Sequence, residues 1–571
     1  MKIMKIRYLP YFLIVALTFS GCSNDDYDDY RIPPKMYSSD RLEQYLLQNF
    51  DLDGDNHISI REARGVKEID CSEMSVYSLE WLQYFTELEK LNCSSNSIDC
   101  FDLSKNTKLK ELICYYSSRC DSIDLSANIA LEVFEYRGYD YSWLRYLNLG
   151  NNTNLRKLHC ANVHWWLVDL DLSNNKKLEE LYLSKLGYLV DLSSLNDDNN
   201  KALNVENISS LRKVYCSDIA NISSFNFSGC DKLDSIYCEN PNSNGDIVSI
   251  TLDGCSSLEY LNLTGCEYSF TDISSCNNLK ELRYSGDIDI SKNTGLEHVY
   301  LDHGYLISPI LNNTKLRSIH CISVKNADIF DLSNQLSLEE LSCQDVKPIN
   351  FSRNKALKYL NIANYIDDNQ GISELRLKDY PDLMEMSYTY RYQLSTLEVE
   401  NCPSLKSLAL TYDPYLHSDL DVAKISNCVS LNSLYCSVAA KVLDINQCPD
   451  IDTLDCSRNS LTELHPEDFP KLKYLNCGYN QLPVLDVSRA LKLEYLDCSY
   501  NQLSDIDVSK NIAITELHCE HNERITKLDL SHNHNLTTLY CGNYINPIQI
   551  YLPVNHHISG YIINGTVIYV E

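Results

Sequence analysis

Beyond its first residues the chain has no apolar run of the length a membrane-spanning helix needs, about 20 residues. It is also short of positive charge. Lys and Arg number 49 against 79 Asp and Glu, a formal net charge of -30, which argues against nucleic acid, whose binding rests on neutralising phosphates with Lys and Arg. Basic or neutral partners stay open, and like-charge repulsion favours solubility. Also missing are a Gly-x-Ser-x-Gly nucleophile turn, a glycine loop for phosphates and a His-Glu-x-x-His helix. No pair of cysteines stands at the short Cys-x-x-Cys step of zinc sites. These absences point away from an enzyme.

The chain opens with Lys2, Lys5 and Arg7, a mostly apolar run from Tyr8 to Phe19, and Ser20-Gly21-Cys22. Charged, apolar and small residues in that order read as an export signal over 1–21, which is set aside from the fold. A cysteine directly after Ser-Gly resembles the lipobox of bacterial lipoproteins, although Phe19 stands where Leu is usual. The resemblance implies that Cys22 is acylated. Residues 22–39, opening with Ser23-Asn24-Asp25-Asp26-Tyr27-Asp28-Asp29, read as an acidic flexible tether with no apolar face to bury. That acidic stretch resembles the signal sending some gut Gram-negative lipoproteins to the outer leaflet of the outer membrane. The location implied is therefore the bacterial outer membrane, lipid-anchored and exposed at the cell surface, with the protein hanging from the bilayer instead of spanning it.

From residue 66 to 545 one pattern recurs: Leu88-x-x-Leu91-x-Cys93-x-x-Asn96, Leu109-x-x-Leu112-x-Cys114, Leu155-x-x-Leu158-x-Cys160. Near the C-terminus Cys456, Cys477, Cys498 and Cys519 return every 21 residues. A second element, such as Phe101-Asp102-Leu103-Ser104-Lys105-Asn106 or Leu528-Asp529-Leu530-Ser531-His532-Asn533, alternates apolar and polar residues and ends in turn chemistry. One such coil cannot bury its own apolar edge, so neighbours must stack around a shared core. The pattern resembles the internalin-type leucine-rich repeats, in particular the branch with a cysteine ladder. It implies a leucine-rich-repeat solenoid with a parallel β-sheet on the concave side and short extended or irregular segments on the convex side. Between about 130 and 430 the coils vary in length, with insertions at 240–245 and 364–371. Residues 546–571 break the repeat, and Asn564-Gly565 is a hairpin-turn signal, so this end is expected to be a β cap.

The 24 cysteines of an exported chain would ordinarily suggest disulfides. Here most occupy the slot that Leu183, Leu263, Leu301 and Leu410 fill in other coils. They are expected to be a buried ladder of thiols acting as small hydrophobes. A second set, Cys230, Cys255, Cys276, Cys402, Cys428 and Cys448, falls at the turn position of Asn106 and is the better place for any disulfide.

Ahead of the first coil, within an expected N-terminal cap over 40–65, stands Asp51-Leu52-Asp53-Gly54-Asp55-Asn56-His57-Ile58-Ser59-Ile60-Arg61-Glu62. It fits the twelve-residue EF-hand loop: carboxylates from Asp51, Asp53 and Asp55, the backbone carbonyl of His57, Ser59 at the ninth position, and Glu62 able to bind at the twelfth. Asn56 replaces the usual Gly and can take the same left-handed backbone. Leu42, Tyr45, Leu46 and Asn49 lie at helical spacing before it. Structural calcium is expected here, stiffening the start of the solenoid, with a plain acidic turn capped by Ser59 and Glu62 as the alternative.

In Leu-x-x-Leu-x-Cys the residue before Cys points away from both neighbours. This outward column repeatedly holds tyrosine: Tyr182, Tyr215, Tyr237, Tyr300, Tyr435 and Tyr540, with Tyr260, Tyr359, Tyr474 and Tyr495 in the next column. Tyrosine joins a large apolar body to a polar tip and suits recognition of protein or sugar. The sequence thus points to a protein or glycan ligand on the concave face, with the loop His164-Trp165-Trp166 as a rival site. Two other readings stand behind it: a structural or accessory lipoprotein of an outer-membrane assembly, and a carboxylate-based envelope enzyme on a solenoid scaffold.

Overall fold

The computed structural model describes residues 30–37, 39–99, 101–116, 122–138, 144, 146–163, 170–186, 201–217, 222–239, 249–268, 270–325, 331–345, 350–363, 374–390, 394–412, 420–554 and 558–570. The export signal, Cys22, the His164-Trp165-Trp166 loop, both insertions, His556 and His557 lie outside these residues. The chain divides into two compact units, Met1–Asp198 with Leu203–Leu211, and Asn199–Ala202 with Arg212–Glu571.

The first unit starts with helix α1 (Asp40–Phe50), capped by Ser39, whose Oγ accepts the Leu42 N–H at 3.2 Å. Leu42 and Leu46, on the expected apolar stripe, are its buried residues. Helix α2 (Ile60–Gly65) follows the acidic loop. The rings of Phe50 and Phe85 meet edge to face at 6.5 Å, joining α1 to the first coils. Parallel strands then stack with no slip from one to the next: Glu68–Asp70, Lys90–Asn92, Glu111–Tyr115, Val133–Arg137, Lys157–Val163 and Glu180–Leu186. Their central residues Ile69, Leu91, Leu112, Phe134, Leu158 and Leu181 form one buried column.

The second unit repeats this plan from Lys213–Ser217 to Ser559–Ile563. Every main-sheet pairing in it is parallel, as required when each strand is one coil of the same winding. The opposite side carries short extended segments, as expected, and some of them pair. Glu374–Lys378, Thr396–Glu400, Val422–Ser426 and Val442–Asn446 form a second parallel sheet, because their alternating pattern buries one face, as in Leu375, Leu377, Leu397 and Val399.

The end of the chain corrects the hairpin expectation. Asn564 does take a left-handed turn, φ 50°, but the strands flanking it do not pair with each other. Ser559–Ile563 runs parallel to Thr538–Gly542, and Gly565–Val570 runs parallel to Ile548–Pro553. The turn is the corner of one more coil. A turn signal fixes a local reversal, whereas the partner of each strand is set by the stack it joins.

Two asparagine ladders bind coil to coil. Asn459, Asn480, Asn501 and Asn522 each donate Nδ2 to carbonyls of their own and the preceding coil. Their Oδ1 atoms accept backbone N–H groups such as Leu461, Leu482 and Leu503. On the other side Asn511 and Asn533 send Nδ2 to two carbonyls each. Burying an amide is tolerable only with its partners supplied; the stack supplies them in full for the first ladder, and in the second it satisfies Nδ2 while the buried Oδ1 atoms of Asn511 and Asn533 stay without a partner.

Twenty cysteines, among them Cys71, Cys160, Cys436 and Cys541, are buried free thiols. Burial pushes the Cys160 and Cys436 thiols up to about 12, so the reactive thiolate is suppressed. Cys402 differs, because a hydrogen bond with Cys428 outweighs burial and lowers it.

Candidate ligand-binding face and calcium loop

The stack places every tyrosine of the expected column on the outward side of the main sheet. Tyr182 belongs to the first unit, opposite His159. In the second unit Tyr215 faces Tyr237, Arg283 faces Tyr300, Tyr300 faces His320, and His518 faces Tyr540. Other residue types share this column, so it is not an unbroken row of rings. Ser342, Asn361, Ser387 and Ala409 fill the column between His320 and Tyr435.

What forms instead is a set of separate aromatic patches. Tyr215 and Tyr237 lie 6.2 Å apart, and Tyr237 stacks on Tyr260 of the neighbouring column at 4.3 Å. Tyr300 is held between the Arg283 guanidinium, 4.1 Å from its ring centre, and the His320 ring at 4.3 Å. Tyr435 is flanked by Ala409 and Asp455. Tyr540 sits between His518 at 4.5 Å and Tyr561 at 4.8 Å. Aromatic pairs at such distances contribute about 0.5–1.5 kcal/mol beyond burial, so these rings are pre-ordered by one another. Burial lowers His159 and His320 and raises the Tyr260 phenol to about 12.

A second ladder was not read from the sequence. Arg458, Tyr479, Tyr500 and His521, each two residues past a ladder cysteine, have φ of 57°, 56°, 49° and 57°. The next ring outward is Tyr544. Tyr479 and Tyr500 stack at 4.2 Å, Tyr500 and His521 at 4.2 Å, and His521 and Tyr544 at 5.2 Å, with the Arg458 guanidinium 4.8 Å above Tyr479. A left-handed backbone costs a non-glycine residue on the order of 1 kcal/mol or more. The asparagine that follows each of them pins the turn. The signal available beforehand was the same 21-residue recurrence that marks the cysteines: Cys477-Gly478-Tyr479, Cys498-Ser499-Tyr500, Cys519-Glu520-His521. His518, in the outward column, and His521 are members of these two ring ladders.

At the acidic loop Asp51, Asp53 and Asp55 bring carboxylate oxygens within 4.8 Å of one another, the one such potential metal-holding group among the described residues. Asn56 has φ 61°. Asp51 accepts the N–H groups of Gly54 at 2.7 Å and Asn56 at 2.9 Å, folding the loop around it. Glu62 accepts Leu52 N–H at 2.7 Å through Oε1 and Ser59 N–H at 2.8 Å through Oε2, while Ser59 Oγ caps α2. Ile58 pairs with the upstream segment: Ile32 N–H donates to its carbonyl at 2.9 Å, and Ile60 N–H to Tyr30 at 3.0 Å. Residues 30–32 thereby form a short antiparallel bridge to the end of the loop, with Arg31 opposite Ser59.

No protein-family model and no curated protein matches the chain. A plant peptide hormone receptor, RGFR1 in complex with RGF2, superposes with a TM-score of 0.50 at 16% identity, over 89% of this chain and 88% of that one. The fold is a leucine-rich-repeat solenoid. Two further solved structures match the solenoid at lower TM-scores. The functional domain of InlJ from Listeria monocytogenes has 18% identity and a TM-score of 0.34, covering 90% of this chain and 81% of that one. YopM from Yersinia enterocolitica has 16% and 0.48, covering 88% and 87%.

Proposed function

We propose that this leucine-rich-repeat chain is a cell-envelope lipoprotein, anchored at Cys22 in the bacterial outer membrane and displayed at the surface, that binds a protein ligand through the outward face of its main sheet. The observation that carries the reading is the row of pre-ordered aromatic patches on that face. Rigid, partly exposed Tyr and Arg groups lose little entropy on binding and are the residue types enriched where proteins meet. A receptor of the same fold is captured with RGF2, in keeping with a protein ligand. In this reading the function is binding.

Asp51, Asp53 and Asp55, with Glu62, the His57 carbonyl and Ser59, are suited to hold calcium in this reading, since they offer only the hard oxygen donors it prefers. Its role is to stiffen the start of the first unit.

The test uses the chain as bait on protein extracts and on a glycan array in parallel. A protein captured by the wild type and lost by a folded Tyr215→Ser/Tyr237→Ser/Tyr300→Ser variant is the expected result. Capture of glycan alone transfers the face to sugar recognition. Unchanged capture by the variant removes this face as the site. Protease treatment of intact cells tests display: a protected chain overturns the surface location.

A further inference from the structure

Where the two ring ladders run side by side in the last coils, the residues between them are small, with one exception. The positions after the ladder cysteines are Ser457, Gly478, Ser499, Glu520 and Gly542. They form a narrow floor between the column of Asp497, His518, Tyr540 and Tyr561 and the ladder of Tyr500, His521 and Tyr544. Gly542 is required: a Cβ there would lie 2.0 Å from the Ile563 carbonyl oxygen. On this floor stands a carboxylate.

Glu520 is only 7% exposed. Its Oε1 accepts the Tyr561 hydroxyl at 3.3 Å, and its buried Oε2 has no hydrogen-bond partner. No Lys or Arg is among the groups acting on it. Burial above all, then repulsion from a second acid, Asp497, raises its pKa despite the opposing hydrogen bond of its own backbone N–H, His518 and Tyr561. An unpaired buried carboxylate is costly to an apo protein, and such a group at a ligand surface is a candidate for function. The rings beside it are pre-ordered. Tyr561 meets Tyr540 edge to face and is close enough to Tyr500 and Tyr544 for their charges to act on its phenol. Tyr544 and Tyr561 are 75% and 45% exposed, so both rings have room to turn and uncover Oε2.

We propose that this trough is a receptor for a primary alkylammonium group, with Glu520 Oε2 as counter-ion and Tyr544 and Tyr561 as its aromatic walls. Ring faces attract cations most strongly where water is excluded. The single free carboxylate oxygen selects between cations. A guanidinium binds best to two parallel oxygens, whereas an ammonium is a compact charge with three donors. A quaternary ammonium has no donor for Oε2. The chemistry is that of a lysine side chain or a free amine, and on the protein-binding reading above, on which the choice of bearer rests, it is a lysine of the partner.

The experiment titrates the full chain with Nα-acetyl-lysine N-methylamide, its neutral norleucine analogue, and spermidine, followed by calorimetry and tyrosine fluorescence. The lysine compound should bind and the norleucine compound should not. Glu520→Gln should weaken lysine binding by about tenfold or more, the loss expected for one charge-assisted hydrogen bond. Tyr544→Ser, at an exposed ring, should weaken it severalfold with an unchanged melting curve, which covers the case of a misfolded Glu520 variant. Equal binding of lysine and norleucine compounds, or lysine binding unchanged in folded Glu520→Gln, overturns the proposal. Spermidine binding far more tightly than lysine keeps the ammonium site and assigns it to free amines. The Tyr215→Ser/Tyr237→Ser variant should keep amine binding, so loss of the protein partner there is separable from failure of this site.

Discussion

Replacing Asn501 by Ala tests whether the asparagine ladder holds both the coils and the exposed rings. Its Oδ1 accepts the Leu482 N–H at 3.0 Å, and its Nδ2 lies 2.9, 3.1 and 3.1 Å from the carbonyls of Cys477, Cys498 and Ser499. The four losses are unequal. The Cys477 carbonyl keeps Asn480 Nδ2, the Cys498 carbonyl keeps Asn522 Nδ2, and the Ser499 carbonyl keeps the Tyr479 N–H. Leu482 N–H is left with no replacement partner. An orphaned buried donor costs about 1–3 kcal/mol, and each weakened acceptor adds about 0.5 kcal/mol at most, the low end for a single hydrogen bond. A total of about 1–4.5 kcal/mol follows. Repeat stacks can unfold in parts, so the readout is native-state hydrogen exchange at Leu482 together with urea unfolding. Protection of Leu482 should fall by about fivefold to two-thousandfold, the factor equivalent to that range. The stacking of Tyr500 on Tyr479 should loosen as its left-handed turn loses its pin. A destabilisation below about 0.5 kcal/mol, the range of neutral surface changes, with Leu482 still protected, would refute the reasoning.

Calcium should raise the melting temperature, by the equivalent of about 2.7 kcal/mol at a hundredfold excess over Kd; Asp53→Asn should abolish the response without removing the Glu62 cap, and an identical curve in chelator would sink the assignment. Alkylation of the native chain should label few cysteines and of the denatured chain many, because burial suppresses the thiolate; low labelling in both states, reversed by reductant, would show disulfides instead. For Glu520 the folded pKa is raised, so between the unfolded carboxyl value, about 4.3, and the folded value the native state binds more protons and stability falls as pH rises. Glu520→Gln should flatten that part of the wild-type curve and stabilise the unliganded protein near pH 7, with Asp497, His518 and Tyr561 unchanged in both; parallel curves for the two proteins would contradict it.

Much of this protein could be read from residue spacing alone. The recurrence of Leu-x-x-Leu-x-Cys is a statement about which side chains share a face, and since strand alternation is local, it assigned Cys477 inward and Tyr540 outward before any coordinates. The Asp51–Glu62 loop was legible for the same reason: its groups meet within one turn of chain, and Asn56 takes the left-handed backbone the pattern needs. What depended on the stack was not visible in that way. Whether Asn564 made a hairpin or a corner turned on which neighbouring strand offered free backbone groups. Whether tyrosines formed a stripe or patches depended on coils of unequal length aligning Arg283, rather than another ring, beside Tyr300. The trough around Glu520 is assembled from Asp497, Tyr500, Tyr544 and Tyr561, residues of different coils whose sequence separation is set by the winding. Only packing of coil on coil decided that Glu520 would be buried with an oxygen left unpaired, because burial is a property of neighbours and not of the residue itself.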